Sequence, residues 1–542
     1  MSPAEVIKIN EQMRTDASGM LNLWNDCGSM CMTRKLSSVL AHYGTGTSND
    51  VFTPDQRVLN TVAIRANETL AAGCVSWITP SDSQWFSWKP VPQIEGKAAV
   101  EDWLSACAEI ATAYLASSNF YNRIHEFFAD WATFGTASLS AKTGRKNPLL
   151  FRTHDNGSYT LAEDDEQNVH RWFREFDLTA DQARAKFGMD KLPESVRNQI
   201  SAGKLNEKSR YLHAIYERQL SEQDPERGPL GMPWASCYIH IASKQKIEEG
   251  GFQELPTFSG RYFRWSENSP YGVSPAMLAL AEIRGLNFLE LLMATLGEVT
   301  VNPRVIVPEG MESVPDLRAG GITIGPMSGD GPKEWMTGGR FDVGLNLIER
   351  KERAVQEAFH FSLFQQFQQI ERQITAQEVR AREAEKLARF SPAFSGLTSE
   401  VINPLLERVF MLLLRNDLLP AIPQEAVVNT PAGPQVLFPR VVHTSRMALA
   451  LQSLKKSSVA NMLELFLPMS QLKPDVFDNL DSDAAFRDLT RSDGMPADYL
   501  LPEDQVLSVR EARAKAQQQQ EMAMMALEAA KTPAAAEAMA AA

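Results

Sequence analysis

The stretch SPAMLALAEIRGLNFLELLMATLG, residues 274 to 297, decides how this chain is read. Ser274 is placed to cap a helix, Pro275 suits the first helical position, and Gly297 stands where a helix commonly stops. The only charges are Glu282, Arg284 and Glu290, so the predicted helix is apolar on nearly every side. A surface helix carries one apolar stripe, whereas a helix apolar all round is covered on most sides. Two arrangements supply that cover: the centre of a monomeric core, or neighbouring copies of the chain.

Working outward, residues 298–339 hold two β runs, EVTVNPRVIVPEG and LRAGGITIGPM, then KEWMTGG. Gly310, Gly320, Gly321, Gly325, Gly329 and Gly331 punctuate them. Strands this short can close their open edges by pairing between adjacent copies. Lys333 and Trp335 are candidate partner contacts, with local packing of the Trp under the hairpin as the alternative. A second helix is predicted from near Asp342, with Leu345, Ile348, Val355 and Phe359 close to heptad positions and Glu352 interrupting the seam.

That helix leads into FHFSLFQQFQQIERQITAQ, residues 359–377, where six glutamines follow a run of aromatic and aliphatic residues. The surface this predicts is polar and nearly uncharged. It suits either a solvated helix face, a polar contact between copies, or a surface that meets a charged polymer without gripping it.

The rest of the chain is mixed α+β and helix-rich. Helical periodicity covers 58–78 and 98–135, with a break expected at Ser117–Ser118–Asn119. Between about 136 and 265 short β-like runs such as ASLSAK, LLFRTH and YLHAIYERQL dominate, interrupted by the helix TADQARAKFG that stops at Gly188. Helical texture returns over 374–420, then the strand-like QVLFPRVVH. The Ala/Gln/Met-rich end, 516–542, reads as a frayed helix or disorder.

Apolar residues make up 44% and charged residues 22% of 542, ordinary for a chain able to bury a large core. A net charge of −13 argues against tight, salt-dependent binding of nucleic acid. The five cysteines include one Cys-x-x-x-Cys pair, Cys27 and Cys31, with no second pair to complete a zinc site. No run reads as a signal peptide or membrane span. No phosphate loop is found, because GTGTSND (44–50) lacks the lysine. His125–Glu126 lacks the second zinc ligand of a zincin, and Ser274 reads as a helix cap rather than a nucleophile. Asp164–Asp165 and Glu248–Glu249 read as solvated pairs. These residues predict no catalytic site, no metal and no cofactor.

Six stretches in order resemble the portal, or head-to-tail connector, proteins of short-tailed bacteriophages. They are ANETLAAG (66–73), ASSNFYNRIHEFFADWATFGTA (116–137), REFDLTADQARAKFG (174–188), SPYGVSPAMLALAEIRGLN (269–287), ITAQEVRAREAEKL (374–387) and NPLLERVFMLLLRNDLLP (403–420). The resemblance implies a portal-type ring subunit, typically one of about twelve copies, at one capsid vertex. It implies a wing over 1–273, a stem helix at 274–297, a clip at 298–341 and a second stem helix at 342–362. A tunnel loop at 363–375, a helical return to the wing at 376–444, a crown at 445–515 and a tail at 516–542 complete the layout. Implied partners are further copies of itself, double-stranded DNA passing without sequence specificity, terminase, a tail adaptor, and the major capsid and scaffolding proteins, with no membrane. The implied location is the virion vertex, and the host cytoplasm during assembly.

On that layout Gln365, Gln366, Gln368, Gln369 and Arg372 are the candidate lumen residues, and Lys333 and Trp335 the candidate clip contacts. Amides can hydrogen-bond a phosphate without fixing a counter-charge. One lysine per copy would instead become a collar of charge around the duplex. Two alternatives from other classes are a large α/β enzyme with an unrecognised site and a helical assembly scaffold.

Overall fold

The computed structural model describes residues 1–35, 58–92, 97–144, 147–301, 305–306, 333–334, 341–364, 376–430, 433–436, 438–451 and 503–529. The fold is mixed helix and sheet and divides into two units, Met1–Met447 and Ala448–Ala542.

The first unit opens with a helix at Pro3–Cys31, started by a capping box in which Ser2 and Glu5 satisfy each other's backbone N–H. Helices follow at Val62–Ile78, Ala98–Ser117 and Phe120–Phe134. The expected break between the last two is present. Ser118 is extended there, and the Asn119 amide pairs with both Phe151 N (2.9 Å) and Phe151 O (2.8 Å). The Phe120–Phe134 helix ends on Gly135, whose φ of 75° is left-handed; an added Cβ would lie 2.3 Å from the Gly272 carbonyl oxygen. That turn delivers the chain into the sheets.

Strand β1 (Phe86–Lys89) pairs with Arg440–His443, tying the C-terminal part of this unit back to its start. A three-stranded sheet is built from β2 (Thr136–Lys142), β3 (Leu150–His154) and a late strand, Thr257–Arg261, with β2 in the middle. Between those strands in sequence lies a five-stranded antiparallel meander: β4 (Tyr159–Glu163), β5 (Val169–Thr179), β6 (Lys208–Glu217), β7 (Trp234–His240) and β8 (Gln245–Phe252). One face of the meander packs on the first helix through Val6, Ile7 and Met13 against Phe173, Leu212, Ala235 and Ile239. The small sheet packs Ala137, Leu139, Ala141, Phe151 and Phe258 in the core beside the Phe120–Phe134 helix.

The long return helix, Ala376–Leu397, passes through a π-turn at Thr398–Ile402 into Asn403–Arg415. The π-turn sets Glu400 against Arg261, where it accepts from the backbone N–H (2.8 Å) and from Nε (3.0 Å). Arg261 is almost fully buried, and its guanidinium is held by Glu400 on one side and Glu163 on the other. In the second unit the described helix is Glu503–Ala529.

Two expectations change. Gly297 does not stop its helix, which runs on to Val301, with the Phe341 ring of the second arm beside it. Glu249 is not simply solvated. It bonds the buried Arg218 (3.2 Å) and Lys246 (2.6 Å), while its neighbour Glu248 bonds Lys191 (2.7 Å). Of the two readings for the Ala/Gln-rich end, helix holds through Ala529, where Ala, Gln, Glu and Met are strong helix formers. Residues 530–542 lie outside the described residues.

All five cysteines are buried free thiols. Burial pushes Cys27 up to about 12 and Cys31 well above the usual thiol range, which keeps both protonated. Among the described residues, no group of three or more His, Cys, Asp or Glu could hold a metal ion. No described helix is long and apolar enough to cross a membrane. Ser274 is buried as a cap: its hydroxyl accepts from Met277 N (2.9 Å) and donates to Thr133 O (2.8 Å), leaving no freedom for nucleophilic attack.

Candidate functional site

The apolar helix with which the sequence was opened is the first arm of an antiparallel hairpin. A one-turn start, Pro275–Leu278, leads into Leu280–Val301, and the second arm is Phe341–Ala358. Contacts run in opposite order along the two arms: Gly285 against Lys351, Gly344 against Met293, Gly297 against Phe341. At Gly344 any side chain would meet the Met293 sulfur, so the glycine sets how closely the arms approach. Glu282 and Lys351 pair across them at 2.6 Å, and Arg284 reaches Asp26 of the first helix at 2.5 Å.

The hairpin is clasped to the body by amides. Asn287 Oδ1 accepts from the backbone N–H of Leu59 (2.8 Å) and Asn60 (3.1 Å). The Asn60 side-chain amide donates to Glu290 on one arm and Glu352 on the other, each at 2.8 Å. Glu352, which interrupts the heptad seam in the sequence, thus meets a partner that binds both arms at once. Asn60 and Asn287 are both buried, so losing either would strand donors and acceptors away from water.

Beyond the clasp the hairpin shows apolar side chains to solvent. Phe288, Leu291 and Leu292 are 59%, 52% and 47% exposed, and Leu278 is 63% exposed. Phe288, Leu291 and Leu292 follow i, i+3, i+4 spacing and so form one stripe. Val343, Leu345 and Leu347 on the second arm are exposed as well. Isolated exposed leucines are ordinary; a contiguous apolar stripe marks a surface that another molecule covers.

After the second arm the chain turns at His360, whose φ is 51°, and makes one helical turn at Phe361–Phe364. His360 Nε2 is 2.8 Å from the Tyr262 hydroxyl and its ring stands edge-on to Phe390. Burial, then the nearby Arg389, lower its pKa, so the ring is neutral at pH 7. Phe364 packs edge-on to Trp77 and Phe390 and lies over Gly73, where a Cβ would come within 2.3 Å of its ring. Leu363 is buried beside them. The described chain stops at this point and resumes at Ala376 in the return helix. Arg389 of that helix bonds Glu357 (3.0 Å), and Lys386 donates to Ser362 O (3.1 Å), so the two ends of the intervening segment are fastened to each other. A cleft of about 700 Å³ opens here, bordered by Leu278, Arg353, His360, Phe361 and Arg389.

Gln365, Gln366, Gln368, Gln369 and Arg372 lie outside the described residues, between these two fixed ends. Trp335 also lies outside them. Lys333 stands in a two-residue strand with Glu334 that pairs antiparallel with Val305–Ile306. Sequence reasoning missed the Asn60 clasp and the Gly73–Phe364 contact, since each joins residues more than 200 positions apart and neither carries a motif. The stripe did have a signal: the helix that was apolar on every side.

A sequence profile described as "Bacteriophage head to tail connecting protein" matches residues 4–501. The chain belongs to that family. It is 26% identical over 533 residues to the probable portal protein of Bordetella phage BPP-1, covering 95% of this chain and 91% of the relative. It is also 26% identical over 490 residues to the portal protein of Salmonella phage epsilon15, covering 88% of this chain and 86% of the relative.

Proposed function

We propose that this phage portal subunit builds a ring of about twelve copies at one capsid vertex, the usual closed symmetry of such assemblies. The ring is the conduit through which the genome is packaged and later ejected. It is a structural, non-enzymatic part of the virion. The observation that carries the proposal is the exposed stripe of Phe288, Leu291 and Leu292 on a hairpin that is otherwise firmly clasped. Fully burying side chains of this kind is worth roughly 1.5–3 kcal/mol each, and a ring repeats the gain at every interface.

In this reading the hairpin arms are the stem, residues 1–273 the wing and 298–341 the clip. Lys333 and Trp335 of the clip meet terminase during packaging and a tail adaptor afterwards. The segment 363–375, fixed at Phe364 and at the return helix, approaches the DNA with Gln365, Gln366, Gln368, Gln369 and Arg372. Their near-neutral polarity lets a duplex slide. The test is Gln368→Lys: packaging slows and DNA retention becomes more salt-sensitive. Wild-type packaging and retention across a salt series would remove these glutamines from the lumen.

A further inference from the structure

The two sheets of the first unit face each other with polar surfaces. Period-two alternation and strand register put Ser138, Ser140 and Lys142 of β2 on one face with Arg152 and His154 of β3 and Thr257 and Ser259 of the third strand. The meander answers with Trp172, Arg174 and Phe176 of β5, His213 of β6 opposite Arg174, and Tyr238 of β7 opposite His213. Trp172 Nε1 donates to Ser138 Oγ at 2.9 Å and sews the faces together. Facing sheets ordinarily bury apolar residues. Here the space between them is a cavity of about 90 Å³.

Four cations border it. Arg174 is half-buried, and Lys142, Arg152 and Lys186 stand at the mouth. Among the described residues none of the four has a carboxylate within ion-pair distance, in a chain whose net charge is −13. The acids closest in effect are engaged elsewhere: Asp155 with Lys35 (3.2 Å) and Glu248 with Lys191 (2.7 Å). Aromatic rings hold Lys186, with Nζ 4.1 Å from the Tyr238 centroid and 4.6 Å from that of Phe176, but they do not neutralise it. Burial and the other three cations lower Lys186 to about 8, and burial with Arg152 lowers Arg174 to about 10. Arg174 Nε, His154 Nδ1 and Thr257 Oγ1 are buried without a hydrogen-bond partner. His154 and His213 are kept neutral by burial and by the cations around them, so they add no charge of their own.

We propose that this cleft binds a phosphoryl group, gripped by Arg174 and Lys186 with Lys142 and Arg152 at the mouth and Thr257 donating from the floor. A phosphoryl dianion brings close to two charges and several acceptor oxygens, where a carboxylate brings one charge. The cavity is too small for a nucleobase or other drug-sized ligand. The source is either free inorganic phosphate or the backbone of DNA.

The test is titration of the full chain with inorganic phosphate at ionic strength held constant with chloride, followed by calorimetry and by the unfolding midpoint. Saturable binding is expected, weakened roughly tenfold by Arg174→Gln and by Lys186→Met. Lys186 is at the surface, so its variant keeps the test open if the Arg174 variant misfolds. Competition by a short DNA duplex assigns the source to backbone phosphate, and its absence assigns it to the free ion. Stabilisation that is equal in wild type and variants, or that chloride alone reproduces, overturns the proposal. So does a lack of phosphate binding combined with failed assembly of Lys186→Met, which would make the missing anion a carboxylate of a neighbouring copy.

Discussion

The hairpin and the sheet pair invert the usual arrangement of polar and apolar residues in opposite ways. The hairpin presents Phe288, Leu291 and Leu292 to solvent, whereas the sheets turn Arg174, His154 and Thr257 towards each other. Each inversion marks something the single chain lacks. Exposed apolar area is relieved by another apolar surface, which in the proposed ring is a second copy of the same hairpin. An uncompensated cationic cleft is relieved by an anion. The two surfaces therefore answer to different solution variables: chain concentration for the hairpin, phosphate and salt for the cleft.

The sharpest way to break this comparison is Leu291→Lys with Leu292→Lys. Both side chains are about half exposed in the single chain, so the monomer's unfolding midpoint should move by no more than about 0.5–1 kcal/mol. Assembly, by contrast, should be lost outright, because each interface would bury several unpaired ammonium groups. Sedimentation velocity alongside denaturant unfolding reads both quantities. Loss of folding along with assembly would mean the stripe belongs to the core.

A smaller effect is expected at the foot of the glutamine segment. Gly73→Ala drives a methyl into the Phe364 ring and should cost about 1–3 kcal/mol. Phe364→Ala in the same chain should recover part of that loss, so that the pair is non-additive. Strict additivity in unfolding experiments would separate Phe364 from Gly73 and leave the segment without its anchor.

The smallest effect concerns acid. Burial lowers His443 to about 4, and it holds the neutral His154 and His213 well below the ordinary imidazole range. Between about 6.5 and that value the unfolded chain binds protons that the folded chain refuses, so stability falls as pH falls. At about pH 5.5 the loss is on the order of 1–2 kcal/mol for His443, whose ring bonds Asn403 Oδ1 at 2.8 Å. His443→Gln should flatten the curve of unfolding midpoint against pH. Phosphate bound in the cleft should raise the unfolding midpoint, since a ligand held only by the folded state stabilises it.

Much of the fold was legible in the residues. Gly135 and Gly188, the Ser118–Asn119 break and the Ser274–Pro275 start are local signals, and each marks an element boundary in the structure. The misreadings share a cause. Gly297 lies inside a helix that continues to Val301 beside the second arm, and Glu249 answers the buried Arg218 across the sheet. Such roles depend on contacts between distant residues, which no local pattern records. The candidate lumen glutamines were visible as composition, yet the contacts of the described residues before and after them in the chain, Gly73 beneath Phe364 and Arg389 on Glu357, were not. The serine alternation of β2 was quoted as a strand signal without asking which face its hydroxyls would line.

The central claim is that the hairpin stripe is covered by another copy. Electron microscopy of the purified full-length chain tests it most directly. The account predicts a rotationally symmetric ring with a central hole and with Phe288, Leu291 and Leu292 buried against the neighbouring hairpin. Compact monomers, or a ring in which that stripe faces solvent, would contradict it.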